Sequence, residues 1–264
     1  NNVSLRVEPL ENGKYKVSGR GELHLSILLE TMRREGYEME VSRPEVIIRE
    51  IEGVKSEPVE EVDIMVPNEY VGVITQEMGK RWGKLNKMEP VSEAETEFVY
   101  ELPTRAYLGL RNLLLTLTKG TVLLSSQILG YQPLGQPLPK MRNGAITAAV
   151  SGTAVEYGLR NLKGRGTAFI QLGQAVYEGM IIGVNNKEED IRVNVCKEKN
   201  LTNHRSKSHK GITKMAHDII LTLEQCLDFL ADDELLEITP LSLRLRKKSL
   251  TELDRKRAGR LVGE

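Results

Sequence analysis

The hydrophobic period between residues 59 and 131 switches repeatedly between two and about 3.6, and the order of those switches restricts the fold more than any other feature. Val59, Val62, Ile64 and Val66 fit a strand stopped by Pro67, and Tyr70, Val73, Ile74 and Met78 then recur at helical spacing. Residues 85–91 and 94–102 read as two strands, the second with Thr96, Phe98 and Tyr100 on one face. A leucine-rich helix over 105–119 stops at Gly120, and 121–131 is a last strand. The order β-α-β-β-α-β is the split ferredoxin-like unit, in which both helices cover one face of a four-stranded antiparallel sheet.

The segment before it reads as half of such a unit. Residues 3–7 and 15–17 pair across a turn at Glu11, Asn12, Gly13 and Lys14, and an amphipathic helix over 22–35 ends at Gly36. Extended stretches follow at 37–41 and 46–51. The opening β-α of this unit is missing, so the chain is expected to begin inside a domain. Pro133, Pro137 and Pro139 interrupt both helix and central strand, which places a boundary there, with a weaker one near 52–58. Beyond it the chain is punctuated by glycine, with strands expected over 145–150, 167–172, 180–184, 191–195 and 236–245 and one helix over 223–235 capped by Thr222. The fold class is therefore α+β: a partial ferredoxin-like unit (1–53), a complete one (54–134) and a mainly β domain with one helix (135–264).

The formal net charge of zero conceals a division along the chain. Residues 1–137 hold 16 basic and 21 acidic side chains, and residues 138–264 hold 21 basic and 16 acidic. The second half therefore carries a net +5, a distribution that points to a polyanionic partner. From Lys199 to His217 there is no acid, while Lys199, Arg205, Lys207, Lys210 and Lys214 are accompanied by His204, His209 and His217. A second cluster, Arg244, Arg246, Lys247, Lys248, Arg255, Lys256, Arg257 and Arg260, meets only Glu252 and Asp254.

Catalytic chemistry is not recognisable. The sequence has no G-x-x-x-x-G-K-[ST] phosphate loop, no H-E-x-x-H and no G-x-S-x-G. Asn86, Lys87, Met88 and Glu89 superficially match a guanine-reading element but read as a surface turn. His204, His209 and His217 share no helical face and lack cysteine or carboxylate support, so no metal site is assigned. Cys196 and Cys226 make neither a zinc cage nor a disulfide framework, and a reducing cytoplasmic setting is expected. No run of about 18 apolar residues is present to span a membrane, and no secretory signal is visible.

Ser18, Gly19, Arg20, Gly21, Glu22, Leu23, His24 and Leu25 form a G-x-G-E-L-H-L turn that resembles the third domain of elongation factor G and its relatives. Arg33 to Gly36 and Val41 to Val46 continue that likeness. Pro103 to Ala106, Leu115 to Thr121, Val176 to Gly183, Leu201 to Asn203, Leu221 to Gln225, Asp232 to Pro240 and Leu250 to Arg257 resemble the BipA (TypA) family of ribosome-associated translational GTPases. The likeness runs from about residue 3 to 260. It departs at 204–217, which is uniformly basic here.

The resemblance implies that 1–53 is like domain III of elongation factor G, 54–134 like its domain V, and 135–264 the family-specific C-terminal domain. It further implies a preceding GTPase domain that binds GTP and Mg, outside this sequence, so that this chain is itself no enzyme. The implied partners are the ribosome, through large-subunit rRNA and the A-site tRNA acceptor end, and the GTPase domain. The implied roles are ribosome assembly, translation and stress adaptation in the cytoplasm, or in an organelle stroma or matrix.

The candidate RNA-binding residues are Lys199, Arg205, Lys207, His209, Lys210, Lys214, Arg244, Arg246, Lys247, Lys248, Arg255, Lys256 and Arg257. Lysine and arginine neutralise phosphates, and the glycine and serine among them let a loop follow an irregular RNA surface. Arg244 to Lys248 read equally well as partners of the acids at 228–237. Arg20, His24, Arg160 and Arg165 are candidate interdomain or rRNA contacts, or plain turn and surface residues. A protein-interaction module without RNA contact is the alternative function.

Overall fold

The computed structural model describes residues 5–198 and 219–261, a mixed α+β fold. Two compact units result: Pro44–Met141, and Asn1–Arg43 together with Arg142–Glu264. In chain order the second of these opens with β1 (Arg6–Pro9), β2 (Tyr15–Ser18), α1 (Glu22–Arg34) and β3 (Met39–Ser42). β1 and β2 form an antiparallel pair around the Asn12–Gly13 turn, where both residues take positive φ.

The unit Pro44–Met141 contains β4 (Arg49–Ile51), β5 (Val54–Pro67), α2 (Val71–Lys80), β6 (Lys84–Pro90), β7 (Glu95–Pro103), α3 (Thr104–Tyr107), α4 (Leu110–Leu117) and β8 (Leu123–Pro133). The strands run β6-β7-β5-β8 across the sheet, all antiparallel, as the split ferredoxin-like order requires. Val62, Ile64 and Val66 of β5 alternate onto the same face as Phe98, Tyr100 and Leu102 of β7, where Ile74, Met78, Leu110 and Leu114 of the helices bury them. Each such side chain contributes roughly 1.5–3 kcal/mol by leaving water. β4, expected with the first segment, instead forms a hairpin with the start of β5. The stretch at 135–138, expected with the last domain, also packs here: Leu138 lies against this core, and the Gly135 N–H donates to Glu57 Oε1 at 2.9 Å.

The long helix expected over 105–119 is broken. Gly109 takes φ +70°, and Leu108 is extended at ψ 127°. The break turns carbonyl groups toward the buried guanidinium of Arg81, whose Nη1 donates to Ala106 O at 2.5 Å and Leu108 O at 3.2 Å. A continuous helix would have consumed those acceptors.

The remaining elements are β9 (Ala145–Ala148), β10 (Gly152–Thr153), α5 (Glu156–Arg160), β11 (Gly166–Ala168), β12 (Ala175–Val176), β13 (Ile181–Asn185), β14 (Ile191–Val193), α6 (Leu223–Phe229), β15 (Glu234–Ile238), β16 (Leu243–Lys247) and α7 (Glu252–Leu261). One sheet runs β11-β13-β9-β14, with β9 and β14 parallel. Adjacent residues of β13 serve two cores. Ile182 joins Ile146, Leu159, Ile170 and Val193, whereas Ile181 joins Leu223, Cys226, Leu227, Leu236 and Leu245. A second sheet, β16-β15-β3, ties residues 39–42 to the C-terminal part of the chain.

The helix expected over 223–235 ends at Phe229, because Leu230 turns extended at ψ 131° and the chain resumes as β15. The strand expected over 236–245 is a hairpin: β15 and β16 join through Thr239 to Ser242, where the Ser242 N–H donates to Thr239 Oγ1 at 3.0 Å. Thr222 caps α6 as expected, accepting from the Gln225 N–H, while Gln225 Oε1 accepts from the Thr222 N–H at 3.0 Å. Thr222→Ala removes half of this reciprocal box. Its expected cost is about 1 kcal/mol, read as faster amide hydrogen exchange in the first turn of α6.

Candidate nucleic-acid interface

Lys199, Arg205, Lys207, His209, Lys210 and Lys214 lie outside the described residues. The other candidate cations are described, and they divide sharply by the company they keep.

β16 carries the first group. Leu245 is buried and Arg244 exposed, as a period of two demands, but Leu241 is almost fully exposed in the turn before the strand. Lys247 falls on the leucine face and is 4% exposed at the side chain, where Nζ contacts Asp190 at 2.6 Å, Glu234 at 2.8 Å and Asp233 at 2.9 Å. Burial alone would lower its pKa, yet the charges of Glu234, Asp190 and Asp233 outweigh that and hold it above the ordinary lysine value. Glu234 itself is fully buried and also accepts from Arg142 Nη2 at 2.5 Å, while the Arg142 guanidinium lies 4.1 Å from the centre of the Phe229 ring. Lys247 is thus a structural charge, and its assignment to RNA is corrected: it has no surface to offer.

Arg246 is also engaged, bonded to Glu40 of β3 and 2.9 Å from Glu237 of β15. Glu237 in turn accepts from the Tyr177 hydroxyl at 2.8 Å, and burial followed by that carboxylate pushes the phenol pKa up. The Lys248 side chain is bonded to the Asp232 carbonyl at 2.5 Å but stays exposed. The pairing of this strand with acids at 232–237 is therefore realised for Arg246 and Lys247, through β15 and the turn before it rather than through a helix. Arg244 remains, exposed and without an ion pair among the described residues, on the rim of an open groove of about 930 Å³ between α1, the start of α6 and β16. Arg33 and Arg34 on that rim both bond Glu30, and the Arg34 bond first among these contacts holds its carboxyl below the usual range.

α7 holds the second group. Lys256 pairs with Glu252 at 2.6 Å, and Arg257 lies 3.7 Å from Asp254; both cations are largely exposed. Arg255 points inward, donating to Ser249 O at 2.9 Å and Leu250 O at 2.6 Å, and burial followed by the nearby Arg192 lowers its pKa. Arg192 bonds Glu178 at 3.2 Å and also Glu252, fastening the start of α7 to the sheet. Exposed pairs such as Lys256–Glu252 exchange readily with other anions, since each is worth no more than about 1 kcal/mol.

The turn residues behave variously. Arg20 is exposed, and its N–H points at His24 Nδ1 at 3.4 Å across the first turn of α1. Arg160 pairs with Glu156 at 2.5 Å within α5. Arg165 is exposed beside β11 and has no ion pair among the described residues.

The open sheet face of Pro44–Met141 has the opposite character. Register pairs Glu61 of β5 with Glu101 of β7, and Asp63 and Glu97 share that face at alternate positions of the same strands, offset by Lys87 at 3.0 Å from Glu97 and Lys84 at 3.7 Å from Glu101. Phe98 and Tyr100 of β7 point to the helices and are not offered on that face. Phosphates avoid acids, so the carboxylates of this face disfavour contact with an RNA backbone. Among the described residues no group of three His, Cys, Asp or Glu is arranged to hold a metal. No described helix is long and apolar enough to cross a membrane.

A family profile described as TypA/BipA C-terminal domain matches residues 143–252, and one described as Elongation factor G C-terminus matches residues 54–141. The Bacillus subtilis (strain 168) protein named Large ribosomal subunit assembly factor BipA is 44% identical over 98% of this chain and 42% of its own length. The protein of the same name from Escherichia coli (strain K12) is 44% identical over 98% of this chain and 43% of its own. That of Haemophilus influenzae is 43% identical over 98% and 42%. The chain spans less than half the length of these relatives.

Proposed function

The chain belongs to the TypA/BipA family and carries its C-terminal domain, and from that premise we propose that it is the ribosome-facing, RNA-contacting part of a translational GTPase. The observation that carries this reading is where positive charge is left over. Lys247 and Arg246 are consumed by carboxylates within the fold. Among the described cations this leaves Arg244, which has no ion pair, and Lys256 and Arg257, held only by exposed pairs, while the sequence of 199–217 holds five further cations and no acid. Cations without internal partners gain most from phosphates, because each contact releases counterions instead of breaking an existing pair.

GTP and Mg do not fit the residues present: the 264 residues contain no phosphate loop, and the described part has no metal-holding cluster. Nucleotide hydrolysis is proposed for a domain outside this sequence, with this region coupling it to the ribosome. The name of these relatives, Large ribosomal subunit assembly factor BipA, supports assembly of the large ribosomal subunit as the process served. Contact with large-subunit rRNA and the A-site tRNA acceptor end, a role under stress and cytoplasmic location are proposed on the same family ground. The acidic sheet face of Pro44–Met141 supports a second, narrower reading, in which that unit meets protein instead of RNA.

Charge reversal at Lys207 and Lys210 tests the proposal. Titration against large ribosomal subunits should give weaker binding and a salt dependence shallower by about 1–2 logarithmic units, at roughly 0.7–0.9 per lost phosphate contact. Binding equal to the parent at every salt concentration would remove the RNA-contacting assignment. The chain alone should hydrolyse no GTP; measurable turnover would overturn the division of labour.

A further inference from the structure

Three exposed cations outside the acid-free run share one end of the β11-β13-β9-β14 sheet, on two turns joined by hydrogen bonds. Lys163 and Arg165 lie on the turn between α5 and β11, and Lys187 on the turn after β13. The first turn is anchored at Leu162, 2% exposed in the core, and at Gly166, where a Cβ would come 1.9 Å from Val184 O. Only glycine permits that approach. Asn186 then joins the two turns: its N–H donates to Arg165 O at 2.8 Å and its Nδ2 to Gly164 O at 3.3 Å. Lys187 O accepts the Gly144 N–H at 2.8 Å, which fixes the second turn to the start of β9.

Backbone hydrogen bonds thus hold both turns, while Lys163, Arg165 and Lys187 form no ion pair among the described residues. Glu188 and Glu189 follow Lys187 in the same turn, yet among the described residues no ion pair joins either to Lys163, Arg165 or Lys187. Arg160, two residues before Leu162, shows the alternative outcome, with its charge taken by Glu156 at 2.5 Å. A braced turn with unpaired cations suits a rigid surface of regularly spaced negative charge, because little backbone entropy of the loop remains to be lost on binding.

We propose that Lys163, Arg165 and Lys187 form a second phosphate-binding tip, which engages the RNA backbone separately from residues 199–217. This rests on the RNA-contacting reading above and adds to it a location that the charge runs do not reveal. Contact is to phosphate and not to base edges, since the tip presents only point charges and a guanidinium, with no aromatic platform.

The test uses the full-length factor carrying Lys163→Gln, Arg165→Gln and Lys187→Gln together, titrated against large ribosomal subunits and, in parallel, protein-free large-subunit rRNA. The salt dependence should become shallower by about 2 logarithmic units for both titrants. Replacing Lys163 and Lys187 by arginine should preserve the parent slope, which a merely structural role for the lysines does not require. A single Lys187→Gln variant should lower the slope by about 0.7–0.9 if the triple variant is poorly folded. An unchanged slope in the triple and single variants, with weakened binding on reversal of Lys207 and Lys210, would overturn the tip and leave the broader reading intact. No change in either set would overturn both. A change with intact subunits but not with bare rRNA would identify a ribosomal protein as the contact and overturn the phosphate assignment.

Discussion

Glu234→Ala should destabilise the unit that contains it by about 3–5 kcal/mol, the range for removing one partner of a buried ion pair. The carboxylate is fully buried and lies 2.8 Å from Lys247 and 2.5 Å from Arg142. It also accepts the Ala231 N–H at 2.9 Å, holding the turn that starts β15. Alanine leaves Lys247 with Asp190 and Asp233 alone, and leaves Arg142 on the Phe229 ring without its anion. Amide exchange across β15 and β16 should accelerate accordingly. Lys247→Met combined with Glu234→Leu should recover much of the loss, because an apolar pair of similar volume needs no counter-charge. A double variant as unstable as Glu234→Ala would show that the hydrogen bonds to the turn, not the charges, carry the effect.

The same cluster predicts a pH dependence. The folded pKa of Lys247 is raised, so the stability it contributes is fully present below the unfolded lysine value and is lost as pH rises through the folded one. Stability of this unit should therefore decline above about pH 10. Lys247→Met should flatten that decline.

Glu57→Ala should have a comparable effect in Pro44–Met141, again about 3–5 kcal/mol. Glu57 is fully buried at the start of β5, and Arg105 Nε reaches it at 2.5 Å and Nη2 at 3.3 Å. Its other contact is the Gly135 N–H, and Arg105 Nη2 also donates to Gln136 O at 2.6 Å. Glu57 and Arg105 together pin the proline-rich stretch to the sheet it follows. Arg105 lies 5.9 Å from the centre of the Trp82 ring, and Trp82 is the one tryptophan in the sequence. Its fluorescence consequently reports this unit, and the urea midpoint read from it should fall in Glu57→Ala. An unchanged midpoint would mean that the pair adds nothing beyond the surrounding apolar core.

Local pattern was enough for the ferredoxin-like unit. Val62, Ile64 and Val66 and then Phe98 and Tyr100 alternate because one sheet face is covered by helices, so period and burial coincide. The pattern misled where a short helix gives way to a strand. Leu223, Leu227 and Leu230 keep helical spacing, and Leu235 extends it by chance; the switch lies in Leu230 and the turn after it, with Glu234, Leu236 and Ile238 buried at a period of two. The break at Gly109 was equally hidden, because its reason is Arg81, nearly thirty residues earlier. One missed signal was present in the sequence. A period of two that puts Leu243 and Leu245 inward puts Lys247 inward as well, and the same count on β15 delivers Glu234 opposite it.

The amino-acid sequence by itself determined the family, the order of elements in Pro44–Met141 and the separation of an acidic half from a basic half, since all three reside in neighbouring residues. Which cations stay free was decided only by the tertiary structure. Lys247 meets Asp190, Arg246 meets Glu40 and Arg142 meets Glu234, partners tens to hundreds of residues away. Coulomb attraction depends on distance in space and on local dielectric, not on separation along the chain. Equal lysines and arginines therefore became structural charges on β16 and unpaired ones at the tip formed by Lys163, Arg165 and Lys187.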